Sequence, residues 1–311
     1  MAEAPGALPA LAAALAAGSR AAAHTPLQMA SANSAIALGK IASASPELAL
    51  RAAEAPGALP ALVAAVAAGA SVTRPCVQAA AAHSMVVLTQ MASTSQALAR
   101  RLAVEQGALA ALVATLAAGD AAAAPSLQDM AAKSTIVLAE MASTSPGLVQ
   151  LMADVPGALP ILVAAVAAGR CSAATSLQER ASNSVVVLAQ MASTSPALAR
   201  RVGDVSGALT VLVAAVAAGG AAAGPTLQGV AVNGARVLSH VASASPEMAQ
   251  RMAEAPGALP ALIAAVAAWR AAGAPMALAT AANSVVVLAC IPGAQPGLAQ
   301  LVLVGALPGL V

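Results

Sequence analysis

Three histidines, three cysteines, four Ser-Pro pairs and a few arginine pairs are the residues of this 311-residue chain best placed to do chemistry. His24, His83 and His240 stand far apart and form no His-x-x-x-His pair, the spacing that puts two imidazoles on one helix face around a zinc ion. Cys76, Cys171 and Cys290 are odd in number and lack the CxxC spacing of a metal knuckle or redox pair. They read as small buried residues of a reducing compartment. No nucleophile elbow and no paired carboxylates mark a hydrolase. The expectation is therefore a protein that is not an enzyme, with no catalytic residue, no metal site and no cofactor.

The remaining polar motifs have structural readings. Ser45, Ser145, Ser195 and Ser245 each precede proline. A proline-directed kinase could modify such a serine, but the same pair is a helix start: the hydroxyl caps free backbone N–H groups, and proline suits the first turn. Arg100-Arg101 and Arg200-Arg201, with Arg51 and Arg251 in equivalent places, could form a basic stripe. Glu54, Glu105, Asp154, Asp204 and Glu254 follow closely, so solvated, neutralised helix ends are expected instead.

The elements that carry these residues are announced by repetition. GALPALVAAVAAG at Gly57–Gly69 returns in close variants from Gly107, Gly157, Gly207 and Gly257, a step of fifty residues. Leu38, Leu88, Leu138, Leu188, Leu238 and Leu288 keep the same step. Gly6 precedes Gly57 by 51, which places one extra residue in the Ser19–Pro26 connection. A fixed period of this size signals a solenoid whose copies bury their apolar faces against one another. One repeat domain over 1–311 is expected, with repeats near 1–45, 46–95, 96–145, 146–195, 196–245 and 246–295 and a partial one at 296–311. Both ends read as cut, so end-to-end self-association is a possibility.

Composition narrows the class. The chain is 60% hydrophobic and 8% charged, with one Trp and no Phe or Tyr, and its net charge is +2. Mean hydropathy is +0.84, yet alanine, a strong helix former and weak membrane driver, supplies much of it. The apolar runs stop after about a dozen residues, short of the roughly 20 that span a bilayer. Met1-AEAPGALPA also matches Met252-AEAPGALPA, so the start is repeat rather than leader. An intracellular protein, cytoplasmic or nuclear, without a membrane span is expected. The small net charge argues against nucleic acid as the default partner.

Within one copy, Ser195-Pro196 opens a short helix, PALARRV, that stops at a left-handed Gly207. Leu209, Leu212, Val213 and Val216 then form one stripe of a middle helix, which Gly219 ends. Gly69, Gly119 and Gly169 hold that place in other copies, and Trp269 replaces them in one, as packing or as an anchor for a partner. A long third helix carries Leu177, Ala181, Ser184, Val185, Leu188 and Met191 on one face. A two-helix repeat with the short segment as loop is the alternative.

Gly157-ALP-Ile161-LVAAV, Leu177-Gln178-xx-Ala181 and Val185-xx-Leu188-Ala189 together resemble the armadillo repeat family. The resemblance implies an all-α, right-handed α-α superhelix of about six three-helix repeats, with the third helices lining a concave face that grips proteins. Peptide-binding members carry Trp and, four residues on, Asn along that face. Here the Trp place holds Asn33, His83, Lys133, Asn183, Asn233 and Asn283, and the Asn place holds Ala37, Val87, Val137, Val187, Val237 and Val287. That ladder is absent, and nuclear-import cargo binding is not implied.

The candidate partner-binding row pairs each residue of the Trp place with the one seven later, on the same helical stripe: Asn33/Lys40, His83/Gln90, Lys133/Glu140, Asn183/Gln190, Asn233/His240 and Asn283/Cys290. Arg236 replaces an aliphatic residue on that side. The expected function is a protein-interaction scaffold holding an extended or helical segment. A self-assembling spacer is the alternative, and a helical-repeat RNA binder a third reading.

Overall fold

The computed structural model of the chain describes residues 6–19, 26–72, 74–121, 125–170, 172, 174–219, 224–272 and 275–291. Among the described residues are seventeen α-helices and no strand. Three kinds recur in a fixed order. Middle helices are α1 (Ala7–Ser19), α4 (Ala58–Ser71), α7 (Ala108–Ala121), α10 (Ala158–Arg170), α13 (Ala208–Ala218) and α16 (Ala258–Ala272). Long helices are α2 (Pro26–Ala44), α5 (Pro75–Thr94), α8 (Pro125–Thr144), α11 (Thr175–Thr194), α14 (Pro225–Ala244) and α17 (Pro275–Cys290). Short helices are α3 (Pro46–Glu54), α6 (Gln96–Val104), α9 (Pro146–Asp154), α12 (Pro196–Asp204) and α15 (Pro246–Glu254). The short segment is thus helical, and the two-helix alternative does not hold.

Each short helix starts for the reason its sequence suggests. Ser45, Ser195 and Ser245 accept a hydrogen bond at Oγ from the backbone N–H three residues on, at Leu48, Leu198 and Met248. Ser95 and Ser145 accept one from Ala97 and Gly147. Four of the five have proline at the first position; α6 has Gln96 instead. Between short and middle helix the chain turns sharply, by 93° from α3 to α4, 90° from α6 to α7 and 92° from α12 to α13. Gly57, Gly107 and Gly207 sit at those turns with φ of 75°, 79° and 75°, a region closed to most side chains.

Contacts gather the chain into two compact units, Met1–Gly157 and Ala158–Val311. In the first, α1, α4 and α7 form one layer and α2, α5 and α8 a second, with each middle helix against its own long helix. Helix α3 packs on α2, α5 and α4, and α6 on α5, α8 and α7. In the second, α10, α13 and α16 back α11, α14 and α17; α12 and α15 close the edge. Leu209, Leu212, Val213 and Val216 are buried, as are Ala181, Ser184, Val185, Leu188 and Met191.

The glycines at the end of the apolar phrase correct one expectation. Gly219 does cap α13, but Gly69, Gly119 and Gly169 lie inside α4, α7 and α10. A Cβ on Gly69 would stand 2.1 Å from the Ala81 Cβ, on Gly119 2.3 Å from that of Ala131, and on Gly169 2.4 Å from that of Ala181. These are crossings where the middle helix touches the long helix almost backbone to backbone, and no side chain fits on either residue beyond a methyl on one.

Candidate functional site: the outward face of the long helices

Helix periodicity sends one side of each long helix into the core and leaves the other facing away from the middle layer. In the first unit that outward side carries Asn33 and Lys40 on α2, both exposed. His83 is half-buried and Gln90 exposed on α5, and Lys133 and Glu140 are half-buried on α8. In the second unit Asn183 and Gln190 on α11, Asn233, Arg236 and His240 on α14, and Asn283 and Cys290 on α17 are all half-buried. Each unit therefore gathers its share of the candidate residues on one face.

The register of neighbouring long helices is visible in their contacts. A Cβ on Gly229 of α14 would lie 3.9 Å from Ser182 Oγ of α11. Further along, Ser243 Oγ of α14 and Cys290 Sγ of α17 are 3.7 Å apart. Residues fifty apart thus fall into slanting columns across the face.

One column was represented among the candidates by Arg236 alone. Three residues after each member of the Asn/His/Lys column stand Ile36, Val86 and Ile136 in the first unit and Val186, Arg236 and Val286 in the second. The aliphatic ones are half-buried, or exposed in the case of Val286, so the face is a partly open apolar stripe with polar residues on both sides. A period-three offset from a known row was the available signal. By contrast Val87, Val137, Val187, Val237 and Val287, in the place of the family's asparagine ladder, are wholly buried and belong to the core.

Several polar groups are engaged locally. Lys133 pairs with Asp129, one turn back on α8, and Asn233 Nδ2 donates to the Gly229 carbonyl at 3.1 Å. Burial, and after it the positive charge of Arg236, hold His240 below the usual histidine value, so this imidazole is neutral at pH 7. Arginines of the short helices serve the packing of copies: Arg100 Nη2 donates to the Thr144 carbonyl at 2.9 Å, and Arg251 bonds Asp204 Oδ1 at 2.6 Å and the Gly203 carbonyl at 3.1 Å. These two arginines make helix-end contacts between copies.

Arg180 is a second residue the candidate row lacked. Its side chain is 1% exposed, in a core column that also holds Met130 and Val230. A guanidinium so enclosed is out of reach of a partner and belongs to the fold. The described residues contain no group of three His, Cys, Asp or Glu side chains able to hold a metal. Among them no single helix is long and apolar enough to cross a membrane. His24, Cys171 and the side chain of Trp269 lie outside the described residues.

No protein-family model and no curated protein matches the chain. Among solved structures, the crystal structure of an engineered protein, a Northeast Structural Genomics Consortium target, matches with a TM-score of 0.62 and 19% identity. The match covers 90% of this chain and 97% of that one. At such identity the likeness is one of fold, an all-helical and repeat-like architecture.

Proposed function

We propose that the chain is a non-enzymatic protein-interaction scaffold, an armadillo-like α-solenoid of about six repeats that holds a partner segment along the outward face of its long helices. One observation supports this reading above the others. At a step of fifty residues the buried positions hardly change, Leu38, Leu88, Leu138, Leu188, Leu238 and Leu288 being one case. The outward positions read Asn, His, Lys, Asn, Asn, Asn and then Lys, Gln, Glu, Gln, His, Cys. A constant support under a varied surface is what a sequence-selective contact needs. The aliphatic stripe between the polar rows supplies burial for a guest, and the polar rows supply its register.

With no Phe or Tyr and one Trp, the face lacks the aromatic anchors that dominate tight interfaces. Grip must come from modest contacts summed over successive helices. Neither a metal nor a cofactor enters this reading.

The test is selection of a displayed random dodecapeptide library on the folded chain, followed by affinity measurements with the enriched peptides. Ile136→Asn and Val186→Asn replace half-exposed aliphatic residues at little cost to the fold. Each is expected to weaken peptides held on its own unit about tenfold, the loss of roughly 1.4 kcal/mol of apolar burial. Leu151→Asn, on the exposed side of α9, is expected to leave affinity unchanged. Peptides indifferent to both stripe substitutions would place binding elsewhere.

A further inference from the structure

We infer that the segment bound by the second unit carries a side-chain carboxylate between two aliphatic residues, and that Arg236 is the residue that selects it. The inference rests on the scaffold reading and deepens it.

The aliphatic column has six members, and five are Ile or Val; only Arg236 departs. Core packing does not ask for the change, because Val186 and Val286 hold the equivalent places on α11 and α17, the helices on either side of α14. Nor does the fold use the charge. Among the described residues Arg236 makes no side-chain hydrogen bond or ion pair, in contrast to Arg100 and Arg251. A half-buried guanidinium without a counter-ion, set in an apolar stripe, is poorly hydrated and has five N–H donors to offer.

Along the long helices of this unit acids are scarce. Helices α14 and α17 contain neither Asp nor Glu. The one acid on α11 is Glu179, two turns before Val186. Asn183, Asn233, Asn283, Gln190 and His240 border the column with neutral groups, and the neutral state of His240 leaves Arg236 as the charge of this face. The complementary guest brings a carboxylate, for which the planar guanidinium offers a two-pronged, charge-assisted bond strengthened as the guest excludes water.

Geometry sets the spacing. Neighbouring packed helices lie about 8–10 Å apart, so Val186, Arg236 and Val286 are successive steps of about 10 Å. A polyproline-type extended segment advances about 9 Å per turn of three residues and presents every third side chain to the same side. The expected guest is therefore aliphatic-x-x-(Asp or Glu)-x-x-aliphatic.

Selection of the dodecapeptide library on the wild-type chain and on Arg236→Val tests this. Valine is already the residue of three other copies at this position, so the variant is expected to melt as the wild type does, which circular dichroism checks. Wild type is expected to enrich the acidic motif, and a synthetic peptide of that motif should bind at least about tenfold more tightly than its Glu→Gln counterpart. Arg236→Val should lose that difference and bind both peptides alike. In the double variant Val186→Arg/Arg236→Val the preference should return, with the acid moved by three positions. Enriched peptides without an acid, equal binding of the acidic peptide to wild type and Arg236→Val, or a preference for phosphopeptides or single-stranded RNA would overturn the inference and leave a binding face standing. Absence of any enriched peptide would overturn the scaffold reading along with it.

Discussion

Replacing Gly169 by alanine is expected to lower stability by about 2–4 kcal/mol, read from the midpoint of urea unfolding. Helix propensity alone argues the other way, because alanine in a helix interior is favoured over glycine by about 1 kcal/mol. Packing decides the sign. The new methyl would stand 2.2 Å from the Leu177 carbonyl oxygen and 2.4 Å from the Ala181 Cβ. The first is backbone and the second has no rotamer to change, so relief requires the end of α10 to move away from α11. Gly147→Ala is the control: its Cβ would meet only Ser145 Oγ, at 3.5 Å, and the same substitution there should be neutral or stabilising. If Gly169→Ala were as harmless as Gly147→Ala, the close helix crossing would not exist.

Leu188→Ala is expected to cost about 3–5 kcal/mol, the upper part of the range for a buried leucine. Leu188 is fully buried, and its column is leucine in all six copies. The reason to expect the upper part lies in the surroundings. A cavity shrinks when neighbouring side chains swing into it, and this core is built largely from alanines, such as Ala181, Ala189 and Ala192, which have no torsion to swing. Val186→Ala, two residues away on the open side, should cost less than about 1 kcal/mol. Thermal and urea unfolding of the two variants side by side would show the contrast. Equal losses would mean that the outward stripe is as enclosed as the core.

Much of the fold was legible because its determinants are local. A serine before proline caps a helix through atoms three residues away, and Ser195 does so at Leu198. Gly207 is a glycine because the turn at that point takes a positive φ, which L side chains rarely adopt, although the space around it is open. The stripe from Leu209 to Val216 follows from the pitch of one helix. Gly69, Gly119 and Gly169 were less legible because a helix crossing excludes a Cβ through a second helix, at Ala81, Ala131 or Ala181 twelve residues on. Gly219 combines both roles, for it ends α13 and its Cβ would stand 2.1 Å from that of Ala231.

The candidate site shows the same division. That Asn183 and Gln190 share an outward side could be read from a spacing of seven. That Val186 between them is partly open, while Val187 beside it is wholly enclosed, depends on where α14 comes to rest. Arg180 illustrates the limit: its column reads Ala30, Ala80, Met130, Arg180, Val230 and Thr280, and only packing shows that it faces inward and Arg236 outward.

Methyl NMR of the chain, with and without a library-selected peptide, asks where a guest sits. Shifts are expected at the methyls of Ile36, Val86 and Ile136, or of Val186 and Val286, while those of Leu138 and Leu188 in the core stay in place. Shifts confined to Leu50, Val104 and Leu151, the exposed apolar residues of the short helices, would mean that the guest lies there and that the outward face of the long helices is not its seat.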